Sequence, residues 1–175
     1  MLGAVATRRS GRGLVAAVLG IAALALLALL LFRGPAGATD VALQPNDDAV
    51  VAEGERVYAE TCAACHGAAL EGQPDWRTRS ADGHMPAPPH DATGHTWHHD
   101  DATLFALTKH GLAGILGEDA PDSAMPAYEG ILTDDEILAV LSYIKSTWPP
   151  DIRSAHDDIN ARAAGGGTET RETYR

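Results

Sequence analysis

The sequence predicts an all-α fold: one small helical domain preceded by a single transmembrane helix. Three observations predict it. Residues 14–32, LVAAVLGIAALALLALLLF, are 19 consecutive uncharged and almost wholly aliphatic residues. Further on, three segments place apolar side chains at helical spacing behind acidic or threonine caps. Between the first and second of these lies TCAACHG, residues 61–67, which holds the only two cysteines of the 175-residue chain.

As a helix, residues 14–32 would be about 28 Å long, close to the hydrocarbon thickness of a bilayer. Arg8, Arg9 and Arg12 precede the run. They hold the N-terminus in the cytoplasm and send everything after Arg33 outside. A signal peptide cut after Ala36-Gly37-Ala38 also satisfies the small-x-small rule. The run is longer than a usual signal core, however, and Arg33 stands awkwardly before a cleavage site, which favours an uncleaved anchor. Residues 1–33 are therefore expected to be a signal anchor in a bacterial cytoplasmic membrane, single-pass, with the rest facing the periplasm. Residues 34–46, rich in Gly, Pro and Ala, read as a flexible linker.

All 24 acidic residues follow Phe32, and nine of the 13 basic ones follow Arg33, so the exported part carries 24 − 9 = 15 net negative charges. Nucleic acid selects basic patches, and this surface argues against it. It suits partners with basic docking faces, whose association slows as salt rises.

The domain is expected over residues 47–148. Asp47 and Asp48 cap a first helix over residues 49–61, with Val50, Val51, Gly54, Val57 and Tyr58 on one side. A mid-helix glycine costs around 1 kcal/mol relative to alanine, so Gly54 marks a place where another helix comes close.

The cysteines then follow as Cys62-Ala63-Ala64-Cys65-His66, the C-x-x-C-H spacing of covalent c-type haem attachment. Two thiols at i and i+3 lie on one side of a turn, where each can add across one vinyl group of the same porphyrin. His66 can then offer its imidazole to the iron. A thioredoxin-like site would need a surrounding βαβ pattern, and none is visible. A structural zinc site needs four ligands, and there is no third cysteine. A plain disulfide leaves His66 unexplained. One haem c, held by two thioethers, is the expected cofactor.

A short helix with Gly54-x-x-x-Tyr58 running straight into C-x-x-C-H-Gly67 resembles class I cytochrome c. The resemblance implies that fold around one haem, with the last helix crossing the first so that Gly54 and Tyr58 meet Val140 and Tyr143. It also implies a proline after the haem histidine whose carbonyl accepts the imidazole Nδ1–H. Pro88 or Pro89, in Ala87-Pro88-Pro89-His90, matches that role. Residues 67–97 have no clear period and suit irregular chain wrapped around the haem.

His84, Met85, His90, His95, His98 and His99 crowd residues 84–99, the end of that loop and the two residues after it. Imidazole and thioether suit copper, so a second metal site is one reading. A polar loop whose imidazoles bond to propionates or backbone is the plainer one. A second helix follows over residues 100–110, started by Asp100-Asp101 and stopped at Gly111. Met125, in Ser123-Ala124-Met125-Pro126-Ala127-Tyr128, lies where the resembled family carries its axial methionine. Methionine sulfur there stabilises ferrous iron and raises the potential. Met85 is the rival ligand, and core filling is the bland alternative for either side chain.

Thr133-Asp134-Asp135-Glu136 is a capping box for a final helix, with Ile137, Val140, Leu141, Tyr143 and Ile144 as its stripe. Pro149-Pro150 end it. Residues 149–175 are expected to be a mostly disordered polar tail, with at most a helical turn around residues 152–162. The function expected is that of an electron carrier and not an enzyme. A tethered mono-haem cytochrome c would shuttle single electrons between a redox donor and a redox acceptor protein, with iron held by His66 and Met125. The alternative is a haem-containing copper-handling protein that uses the His/Met-rich loop 84–99.

Overall fold

The computed structural model describes residues 41–81, 83–117, 120 and 123–165. The expected anchor, and the linker up to residue 40, lie outside the described residues. Among the described residues no helix is long and apolar enough to cross a membrane. Nor is there any strand among them beyond one isolated bridge between Glu129 and Leu132.

Helix α1, Asp48–Val57, starts where expected. The Asp47 carboxylate accepts from the backbone N–H groups of Ala49 and Val50, two of the donors that a helix start leaves unpaired. The chain continues through one wide π-turn, Tyr58–Cys62, into the short helix α2, Ala63–His66. Gly67, at φ 81°, ends it in a backbone conformation that favours glycine. Irregular chain follows to a single 3₁₀ turn at Thr96–His98.

Helix α3, Asp101–Leu116, is capped by Asp100, whose carboxylate accepts from Thr103 N–H. Its regular part stops at Gly111, at φ 70° and ψ 174°. A further helical turn then runs on, exposed, to Gly117, a continuation the sequence did not predict. Helix α4, Asp134–Ser146, has both halves of the Thr133/Glu136 capping box.

The core forms where α1 crosses α4, around Val57, Tyr58, Ile137, Val140, Leu141 and Ile144. Gly54 is the point of closest approach. A Cβ there would lie 2.0 Å from the Ala139 carbonyl oxygen and 2.7 Å from Tyr143 Cβ. The rings of Tyr58 and Tyr143 meet with centroids 5.6 Å apart. Thus Tyr143 meets this face of α1 as the resemblance implied. At the glycine itself the partner is the Ala139 backbone.

Two boundaries differ from expectation. Residues 41–46 are not linker. Leu43 is buried in the core, its N–H donates to Asp101 Oδ2 at 2.9 Å, and Gln44 N–H donates to Ser142 Oγ. The tail beyond Trp148 is not disordered over its first half either. Pro149 and Pro150 end α4 but also start α5, Pro150–Ala164. A proline suits the first helical turn because its missing N–H would be unpaired there anyway.

Helix α5 is held by few but buried contacts. His156 is 0% exposed and meets the Trp148 indole edge to face at 5.1 Å. Its Nε2 bonds to the His99 carbonyl at 2.9 Å. Asn160 donates to Asp101 Oδ1 and accepts from Asp101 N–H. Lys145, on α4, reaches Asp157 at 2.6 Å. Apart from Trp148, and from Ile152 packing against the core, these contacts are polar, so α5 shows no continuous apolar stripe in the sequence.

Candidate haem site

The π-turn falls at the start of the cysteine motif. Ala63 N–H reaches back five residues to the Tyr58 carbonyl, and Thr61 Oγ1 donates to the Val57 carbonyl at 2.6 Å. Turns of this kind are rare and recur at functional sites because they re-aim the side chains that follow. Two phenols then fasten the motif at either end. Tyr58 OH donates to the Gly67 carbonyl at 2.9 Å, and Tyr128 OH donates to the Thr61 carbonyl at 3.1 Å. Burial raises the pKa of both tyrosines above the ordinary phenol value, so both stay protonated and act as donors.

The two thiols are not joined in a disulfide. Cys62 is half-buried and Cys65 exposed. Burial, the largest influence, pushes the Cys62 thiol up, against the Thr61 hydroxyl bond that lowers it.

His66 is 7% exposed. Its Nδ1 lies 2.8 Å from the Pro88 carbonyl oxygen. A carbonyl can only accept, so Nδ1 carries the proton and Nε2 keeps its lone pair for a metal. Burial lowers the His66 pKa, opposed by the Pro88 bond, and a neutral imidazole is the form that ligates. Of the two prolines expected to match this role, Pro88 supplies the bond. The Pro89 carbonyl instead lies against Gly94, where an added Cβ would sit 2.0 Å from it.

Cys62, Cys65, His66, Met85, Pro88 and Met125 all line one cavity of about 300 Å³. Leu104, Leu107 and Leu141 supply apolar wall. Both methionines are 41% exposed. They come from different supports. Met85 lies three residues before Pro88, on the segment bonded to His66. Met125 belongs to the segment held on α3, where Tyr128 N–H donates to the Thr108 carbonyl and Glu129 N–H to the Lys109 carbonyl.

The histidine-rich loop is built from ring stacks. His66 and His90 stack at 4.0 Å, Trp76 and His95 at 5.3 Å, and Trp97 and His98 at 3.6 Å. Burial, with His66 and His95 adding to it, lowers the His90 pKa to about 3. His95 and His99 are lowered by burial as well. Among the described residues no three His, Cys, Asp or Glu side chains are grouped to hold a metal ion, so no preformed set of imidazoles supports the copper reading. The His66–His90 stack, the π-turn and the Tyr128 bond were not anticipated from the sequence. The stack depends on tertiary placement that no local pattern signals, and the π-turn differs from an ordinary helical turn only in which local carbonyl each N–H meets. The third had one cue, Tyr128 close behind Met125.

These residues fit a haem c. Two unpaired thiols and a neutral imidazole with its Nε2 uncommitted line one largely apolar cavity, of a size at the low end for ligand sites. Helix, motif and cavity together define a small all-α haem domain of the c type. The sequence profile described as Cytochrome c matches residues 51–148, more than half of the chain, and the chain belongs to the cytochrome c family. It is a class I c-type cytochrome with covalent haem c, placed in electron transport.

Among curated proteins, the chain is 34% identical over 110 residues to the cbb3-type cytochrome c oxidase subunit CcoP of Azospirillum sp. (strain B510), covering 61% of this chain and 33% of that one. It is 33% identical over 97 residues to the cbb3-type cytochrome c oxidase subunit FixP of Bradyrhizobium sp. (strain ORS 278), covering 54% and 27%. It is 32% identical over 107 residues to CcoP of Rhodobacter capsulatus, covering 59% and 31%. The chain thus spans about a third of the length of these relatives. No solved structure matches it.

Proposed function

We propose that this chain is a membrane-tethered, single-electron carrier of the periplasmic side, with His66 and Met125 as the two axial ligands. The observation that carries the reading is the convergence of Cys62, Cys65, His66 and Met125 on one cavity. The bound haem c supplies a one-electron Fe(III)/Fe(II) couple. The protein's own groups do the rest. Cys62 and Cys65 fix the macrocycle covalently. Pro88 holds the His66 tautomer and makes the imidazole a better donor. Met125 is favoured over Met85 because it is anchored on α3, away from the segment bonded to His66. With His66 and Met125 both holding the iron, a bound haem would pass single electrons without a substrate bond being made or broken, which is the work of a carrier and not of an enzyme.

The relatives are named as subunits of cbb3-type oxidases, which supports a respiratory membrane as the setting. A terminal oxidase of that type is the acceptor we favour, with a basic surface facing this acidic domain. The donor would be another redox protein at the same membrane. The anchor over residues 14–32 would keep the domain near both.

The ferric spectrum tests the ligands. A sulfur-to-iron band near the far red is expected in the wild type and lost in Met125→Ala, while Met85→Ala keeps it. Rapid binding of carbon monoxide by the wild type would overturn the closed sixth position. Purification of the tagged full-length chain from membranes tests the setting, and recovery without any oxidase subunit would remove the favoured acceptor.

A further inference from the structure

The bonds at Nδ1 and Nε2 leave an imidazole on roughly opposite sides of the ring. The Pro88 carbonyl and a metal at Nε2 therefore aim His66 but leave its plane able to turn about the line joining them. Something else must stop that rotation. The structure supplies a second ring, His90, lying on the His66 face with centroids 4.0 Å apart and planes inclined by 23°.

His90 is itself held from several directions. Its Nδ1 bonds to Thr96 Oγ1 at 2.8 Å. The Tyr58 ring meets it edge to face at 6.3 Å and 74°. Its backbone N–H donates to the Leu70 carbonyl at 2.8 Å, and its carbonyl accepts from Trp148 Nε1 at 2.8 Å. It is also only two residues from Pro88, so both restraints on His66 come from one short, fixed stretch. A flat ring tied at backbone and side chain presents a rigid plane. An aliphatic side chain in its place would fill the space but set no plane.

We propose that His90 is a positioning residue that fixes the plane of the His66 imidazole, and through it the electronic state and reduction potential of a bound haem. The proposal rests on the reading of His66 as an axial ligand.

The test uses the full-length haem-loaded protein in detergent. Electron paramagnetic resonance of the ferric state reads the axial ring plane through the spread of its g values, and a redox titration reads the potential. His90→Leu is expected to change the g spread and shift the potential. His90→Phe, which keeps a flat ring in place, is expected to restore wild-type g values. Thr96→Val, which releases the His90 ring without removing it, is expected to change the g spread in the same sense as His90→Leu. It decides the matter if His90→Leu does not accumulate with haem. Superimposable g values in wild type, His90→Leu and Thr96→Val would overturn the positioning role, even if thermal stability fell, because a packing residue lowers stability alone. Paramagnetic nuclear resonance of the ferric wild type that shows no strongly shifted His66 ring protons would overturn the axial reading of His66 itself, and the role of His90 with it.

Discussion

At the residue scale, the haem motif is held by bonds to its own backbone as much as by its packing. Tyr58 and Tyr128 each satisfy a carbonyl flanking the cysteine turn. Removing one hydroxyl leaves that carbonyl short of a donor, which costs about 1–2 kcal/mol. Tyr128→Phe is expected to lower the unfolding free energy of the haem-loaded protein by that amount in guanidinium titrations, with its visible spectrum unchanged. His156 sets a pH dependence of its own. Burial, then Lys145, lowers its pKa, against Asp101, the His99 carbonyl and Asp157. The folded chain keeps this imidazole neutral, whereas the unfolded chain protonates it near pH 6.5. The unfolded state then binds more protons, so the contribution is fully present above that pH and is lost as pH falls below it. His156→Gln is expected to flatten the fall in stability between pH 7.5 and 5.5, measured by denaturation at each pH. An unaltered slope would assign the acid sensitivity to other groups.

At the scale of elements, the crossing of α1 and α4 is set by one missing side chain. Gly54→Ala would drive a Cβ to 2.0 Å from the Ala139 carbonyl oxygen. Backbone cannot yield as a flexible side chain does, so the helices must separate at a cost of about 3 kcal/mol or more. The expected result is a large loss of thermal stability in Gly54→Ala, where the same change in an exposed helix would stabilise. Much of this architecture was legible in the sequence. Asp47, Asp100 and the Thr133/Glu136 box announced three helices, because capping is a local exchange between a side chain and the next turn. Gly54 announced the crossing because a glycine in mid-helix needs a reason. In the site, Cys62, Cys65 and His66 are one local motif, and the family resemblance pointed to Pro88 or Pro89 without choosing between them, a choice made by the His66 Nδ1 bond to the Pro88 carbonyl. Helix α5 was not legible. It buries a histidine and bonds through Asn160 and Asp157 instead of an apolar stripe, and its opening prolines read equally as the end of α4. The loop histidines were visible as a cluster, but which ring lies on which was not, since stacking depends on where the chain returns in space.

At the scale of the whole molecule, the domain is organised around a cavity. Its core cluster is small, and the walls formed by Leu104, Leu107 and Leu141 face a space of about 300 Å³. Domains of about a hundred residues bury a modest share of their surface, so what fills such a space weighs heavily in the balance. The polypeptide also concentrates negative charge, with 15 more acidic than basic residues after Arg33. That self-repulsion opposes the compact state most strongly at low salt. Both effects act in one direction on a chain that cannot bind haem covalently. Cys62→Ala with Cys65→Ala is expected to leave the domain largely unfolded, with weak helical dichroism and rapid proteolysis. Added salt should recover part of the helix signal by screening the charge. It should not recover near-ultraviolet dichroism, because salt cannot supply the apolar surface that the cavity walls lack. A haem-free variant with native-like near-ultraviolet dichroism at low salt would show that the helices hold the fold unaided, and that α5 and the α1–α4 crossing carry more of the stability than the haem.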